Sequence, residues 1–243
     1  MTPTLEYLTV SAAPWVSAWF VVTTLLTAGL LVRLLRAAGA ATTTWLIGIA
    51  LWLVGQALLA RSGFYQQLQH VPPRLVLFGI LPALVVMGYL MVSQRGRALT
   101  DRLSVVGLTA LSVVRVPVEI VLYALASQHL VPELMTFEGF NFDILSGLTA
   151  PLVAYGYQRG WLGRGSLLAW HLVALGLLLT IVILALLSAP TPLQQLAFEQ
   201  PNVAVVQFPF VWLPVFVVPV VGFTHWVALR RLLSANRQAS SIA

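Results

Sequence analysis

Apolar residues run almost unbroken through seven stretches, at residues 14 to 36, 41 to 61, 74 to 94, 103 to 127, 140 to 158, 166 to 188 and 205 to 230. A helix needs about 20 residues, at ~1.5 Å rise each, to cross ~30 Å of hydrocarbon. Polar residues, glycines and prolines gather in the short segments between the stretches. The pattern predicts an all-α integral membrane protein, with residues 1 to 243 forming one seven-transmembrane-helix bundle. The first stretch follows a tail whose one charge is Glu6, without the basic region or small-residue cleavage site of a secretory signal, so it is expected to remain as a helix.

The charges orient the bundle. Arg33, Arg36, Arg95, Arg97, Arg102, Arg159, Arg164, Arg230, Arg231 and Arg237 fall at one set of span ends, whereas the alternate loops hold Arg61 and Arg74. The positive-inside rule then places the N-terminus outside and the C-terminus in the cytoplasm. Trp15 on one side, and Trp45, Trp161, Trp170 and Trp226 on the other, match the aromatic belts of membrane interfaces. In the outer loops, Thr191, Pro192 and Pro201 frame a short surface helix, and residues 129 to 142 are expected to fold onto the outer mouth.

Composition removes whole classes of function. With 59% hydrophobic and 8% charged residues, a water-soluble domain is excluded. The net charge of +6 could suit nucleic acid, but the arginines sit at helix ends rather than in one patch, which points to lipid headgroups as partners and to no nucleic acid. There is no cysteine, hence no disulfide, thiolate nucleophile or cysteine-bound metal. All thirteen basic residues are arginine, and without a lysine amine no retinal Schiff base can form. No glycine-rich phosphate loop, GxSxG elbow or HExxH spacing occurs, and no cofactor is predicted. The alanine, leucine and arginine bias without lysine suggests a GC-rich bacterial genome and the cytoplasmic membrane.

Three groups of polar residues inside the spans call for a reason. In the fourth span, Arg115-Val116-Pro117-Val118-Glu119 puts two charges about 18 and 24 Å from its cytoplasmic end. Ionised groups at that depth cost on the order of 3 kcal/mol each and turn away from lipid. Their spacing of four allows them to pair on one face, Tyr123 extends that face, and Pro117 should kink the helix and free the Val113 carbonyl. The pair either locks the helix into the bundle or lines a ligand or ion pathway. Next, Glu138-Gly139-Phe140-Asn141-Phe142-Asp143 leads into the fifth span. With Gln56 and Gln207 it could form a polar vestibule; alternatively Asn141 or Asp143 caps the helix while Ser146, Gly147, Thr149 and Ala150 pack closely. Finally, His171 and His225 are expected near the cytoplasmic end as locally bonded side chains, and as weak metal candidates only if they face each other. His70 and His129 fall in outer loops.

An internal repeat is suggested by Leu81-Pro82-Ala83-Leu84-Val85-Val86 and Leu213-Pro214-Val215-Phe216-Val217-Val218. Three functions fit these residues. The first is a transporter or binder of a small molecule or ion, with Arg115 and Glu119 at its site. The second is an intramembrane enzyme acting on a lipid or isoprenoid, with Glu119, Glu138 or Asp143 as general acid. The third is an accessory subunit, or a homo-oligomer, assembled through the charged face.

Overall fold

The computed structural model describes residues 6–240, leaving out the side chains of residues 7, 9 and 235 to 240; Arg237 thus lies outside the described side chains. Helices dominate, and no strand occurs among the described residues. In chain order they are α1 Pro14–Ala37, α2 Thr42–Arg61, α3 Leu81–Val92, α4 Gln94–Thr100, α5 Val105–Leu111, α6 Arg115–Ala126, α7 Asp143–Gln158, α8 Arg164–Ser188 and α9 Val218–Ser240. Five helical segments are long and apolar enough to cross a membrane: α1, α2, the continuous α5–α6, α8 and Leu213–Ser234. A sixth forms if α3 with its preceding turn and α4 count as one broken span. Their outer faces carry large exposed apolar side chains, among them Leu25, Leu51, Val54, Leu172 and Ile183. In water such a belt would aggregate, and in lipid it is solvated; the chain is a multi-pass membrane protein.

Short connections make successive helices antiparallel, so the bundle has two ends. One, the loop face, gathers residues 6 to 13, 62 to 73, 127 to 142 and 189 to 212; the Ala13 amide there meets Gln128 Oε1 at 2.7 Å. The other, the arginine face, holds the exposed Arg33, Arg36, Arg95, Arg97, Arg102 and Arg159. Arg230 Nη2 there ties α9 to Thr100 Oγ1 at 2.8 Å and to Asp101 Oδ1 at 2.5 Å.

Four expected elements differ. The third stretch is not one straight helix: a π turn at Val76–Ile80 leads into α3, and the axis then bends by 84° into α4. The bend is possible because Ser93 caps α4 through the Gly96 amide and a Cβ at Gly96 would strike the Leu90 backbone. The fifth stretch starts late. Its helix, α7, has 16 residues, about 24 Å, and residues 127 to 142 take the place of its missing turns with Leu130, Val131, Met135 and Asn141 all buried. The seventh becomes continuously helical only from the π turn Leu213–Val217, after a buried irregular run that includes Val203, Val206 and Val211. Last, residues 190 to 201 form turns rather than a surface helix; Thr191 closes the first turn by accepting from the Gln194 and Leu193 amides.

The two π turns also replace the repeat read from sequence. Each ends two residues before a proline, Pro82 and Pro219, so Pro82 corresponds in structure to Pro219 and not to Pro214. A proline cannot donate to the carbonyl four residues earlier. The carbonyls so left are Phe78 O and Val215 O, and α2 serves both: Gln56 Nε2 donates to the first and Trp52 Nε1 to the second, each at 3.0 Å. Positions 52 and 56 share one helix face, which is why one helix can do both.

Candidate functional site

Halfway along the α5–α6 span the helix tightens into a 3-10 turn, Ser112–Val114, and restarts at Arg115. Pro117 then occupies the first turn of α6, where a missing N–H costs least. Gly147 of α7 lies against this point. A Cβ there would come within 2.9 Å of the Val116 amide nitrogen and 3.1 Å of Arg115 Cβ. The absent side chain lets α7 touch the α6 backbone, and that approach delivers Asp143, at the start of α7, to the guanidinium.

Arg115 and Glu119 do not pair with each other. Arg115 Nη1 donates to Asp143 Oδ1 at 2.7 Å and to Ala174 O at 3.0 Å, while Nη2 contacts His225 Nε2 at 2.8 Å. Glu119 turns instead to Asn141, whose Nδ2 donates to Glu119 Oε1 at 2.6 Å and to Met135 O at 3.0 Å. Asn141 Oδ1 in turn accepts from the Asp143 amide, the first of α7, so Asn141, one position ahead of the N-cap Phe142, satisfies a helix-start amide and holds the acid at once. Asp143 also gains from the positive end of the helix dipole. All four residues are at least 96% buried. Glu119 Oε2 and Arg115 Nε have no hydrogen-bond partner.

The histidines belong to this cluster. His171 and His225 are fully buried, with their Nδ1 atoms 2.8 Å apart, and His171 Nε2 lies 3.0 Å from Thr109 Oγ1. Donor arithmetic assigns the protons. A guanidinium only donates, so His225 Nε2 accepts and its proton sits on Nδ1. His171 Nδ1 therefore accepts and its Nε2 donates to Thr109 Oγ1, whose own proton goes to Val105 O at 2.9 Å. Trp170 stands edge-on to His171, with centroids 5.0 Å apart, and donates to Thr149 Oγ1, so it forms a wall of the cluster. From Thr109 to Glu119 the chain of polar groups follows ten helical positions, about 15 Å.

The other candidates lie elsewhere. Gln56 serves the Phe78 carbonyl and accepts from Tyr65 Oη at 2.6 Å. Burial pushes the Tyr65 phenol up to about 12, although the Gln56 hydrogen bond pulls the other way. Gln207 Nε2 binds Leu8 O on the loop face, beside a cleft of about 290 Å³ lined by Ser11, Arg61, Gln66 and Phe208. Tyr123 is exposed and stacks on Phe137 at 5.1 Å, and Glu138 is exposed in a turn. Among the described residues none of these side chains is hydrogen-bonded to Glu119, whose partner is Asn141. Sequence reasoning passed over Thr109 and Ser112, although Thr109, Ser112, Arg115 and Glu119 recur every three or four residues in an otherwise apolar span, the spacing of a single helix face.

Among the described residues no group of three or more metal-binding side chains is positioned to hold an ion, and the guanidinium against His225 would repel a cation bound there. A void between Phe20, Val118, Leu122 and Phe210 has about 10 Å³ and an apolar lining to which no side chain of the cluster contributes.

Comparison with curated proteins and with solved structures finds no match. Residues 72–233 match the profile of a domain of unknown function, DUF8737, over more than half of the chain. That stretch contains both π-turn helices, α7 and every side chain of the buried cluster, and the chain belongs to the DUF8737 family.

Proposed function

We propose that the protein is an ion transporter whose buried cluster carries a proton. The observation behind this reading is the run of side-chain hydrogen bonds from Thr109 through His171, His225 and Arg115 to Asp143, beside which Asn141 joins the Asp143 backbone amide to Glu119. A helix lock would need one arginine and one acid. Two imidazoles and a second carboxyl, each withdrawn from water at a cost of several kcal/mol, go beyond that need.

Arg115 is the coupling residue in this reading. It divides two neutral imidazoles from two carboxyl groups and binds one of each. A proton arriving on His225 Nε2 removes the acceptor and sets two positive charges against each other, so the guanidinium must withdraw toward Asp143. A proton arriving on Asp143 weakens the other contact. Since Arg115 sits on α6 and its partners on α7 and α9, protonation shifts helices relative to one another.

The arrangement of arginines supports seven crossings with the loop face and N-terminus outside, α7 and residues 127 to 142 together making the fifth. Composition supports a bacterial cytoplasmic membrane. In the isoprenoid-enzyme reading Tyr123, Phe137, Phe140 and Trp212 would shield a carbocation; it is less well supported because the first three are exposed, and of the four Trp212 alone is buried, with its Nε1 donating to Leu53 O.

Reconstitution into liposomes with an internal pH dye tests the proposal. An imposed potential should drive proton entry, and His171→Phe or Glu119→Gln should lower the rate at least tenfold. Native protein giving no more flux than empty liposomes, or variants that conduct as well as it does, would overturn the reading.

A further inference from the structure

The end of α8 gathers acceptors that the cluster does not use. Past Ser188 the chain wraps back over the last helical turn: the Gln195 and Leu196 amides both donate to Leu187 O at 2.9 Å, and the Asn202 amide donates to Ser188 O at 2.8 Å. Asn202 Nδ2 reaches Ala185 O at 3.4 Å, and Gln194 Nε2 holds Leu196 O at 3.0 Å. Ser188 and Asn202 are fully buried. Around this turn, three buried side-chain oxygens have no hydrogen-bond partner: Ser188 Oγ, Gln194 Oε1 and Asn202 Oδ1. The same is true of only one other side-chain oxygen among the described residues, Glu119 Oε2.

Native interiors pair nearly all buried polar atoms, so three orphans at one helix end call for an occupant. Two of them are amide oxygens, which can only accept, and the Ser188 hydroxyl reaches neither. What is missing is a donor or a cation. We propose that the end of α8 binds a monovalent alkali cation, Na⁺, through Ser188 Oγ, Gln194 Oε1 and Asn202 Oδ1. Hard cations take neutral oxygens, and the carbonyl end of a 25-residue helix adds negative potential. No carboxylate belongs to the set, so nothing offsets a second positive charge and a divalent ion is disfavoured. A water donates to at most the two amide oxygens while accepting from the Ser188 hydroxyl, and comparing salts separates it from Na⁺.

The ion would tie the loop at 189 to 202 to α8. Through the Val203 and Ala204 amides, which donate to Leu130 O at 3.1 and 3.0 Å, it would also steady the coil ahead of α7. The proposal uses no atom of the proton cluster and stands whether or not protons are carried.

Thermal unfolding of the full-length protein in detergent tests it, with about 100 mM NaCl compared against choline chloride at equal ionic strength. The native chain should melt about 2–4 °C higher in Na⁺, with saturation as Na⁺ rises. Ser188→Ala and Asn202→Leu should each remove the difference, whatever their own Tm; should Asn202→Leu fail to fold, Ser188→Ala alone decides. Equal Tm in the two salts for the native chain overturns the proposal and leaves water as the occupant. A Na⁺ effect that survives in the variants overturns it as well.

Discussion

Buried polar side chains serve two different ends in the two halves of this bundle. Along α2 they repair the backbone: Gln56 and Trp52 satisfy the carbonyls that Pro82 and Pro219 leave open, and neither residue meets a charged group there. Among α6, α7, α8 and α9 they bind one another, and Arg115, Asp143, His171, His225 and Glu119 form a network with two atoms still unpaired. A polar residue in a membrane helix is therefore informative only together with its partner. A partner that is a proline-freed carbonyl marks architecture, whereas a partner that is another ionisable side chain marks chemistry.

The largest effect should come from splitting the charged pair. Arg115→Leu leaves Asp143 buried and unpaired, which should cost about 3–5 kcal/mol and lower Tm markedly. Arg115→Met combined with Asp143→Leu should regain much of that stability while proton flux stays absent; a double variant that still conducts would break the distinction drawn here. Gly147→Val should follow, since its Cβ meets the α6 backbone and Arg115 Cβ. Overpacking of this kind costs about 1–3 kcal/mol, and solvent accessibility of a probe cysteine beside Asp143 would report the parted helices.

On the α2 side, Gln56→Leu strands Phe78 O and the Tyr65 hydroxyl, a loss of about 1–3 kcal/mol that denaturation would measure. Proton flux should be unchanged, and a fall in flux at equal protein content would place Gln56 with the cluster after all. Tyr65→Phe should matter least, about 1 kcal/mol. The native phenol has its pKa raised from 10.0 to about 12. Its contribution to stability is therefore full below pH 10 and fades as pH climbs toward 12, a window absent from Tyr65→Phe.

The apolar stretches foretell an all-helical chain, of which five or six segments are long and apolar enough to span a membrane, and Arg115, Glu119, Asn141 and Asp143 are legible because charge and amide are rare in such runs. Their pairing was not legible. The spacing of four suggested Arg115 with Glu119, yet Asp143 wins because Gly147 brings α7 against α6, and no pattern within one helix reports the distance to another. The partners of the histidines are hidden for the same reason: counting along α8 and α9 gives depth but not rotation, and rotation turns His171 and His225 toward each other. Gln207 and Glu138 looked equally eligible and meet nothing in the cluster.

Hydropathy is a local property, so the chain alone settled that this protein is helical, with apolar stretches long enough to span a membrane and ionisable groups within them. Which of those groups touch, where the fifth and seventh helices begin and which donors serve the proline-freed carbonyls depend on side chains far apart in sequence. Only tertiary packing decided them, because a hydrogen bond is made within about 3 Å and the identity of the atom at that distance is not written in either partner's neighbourhood.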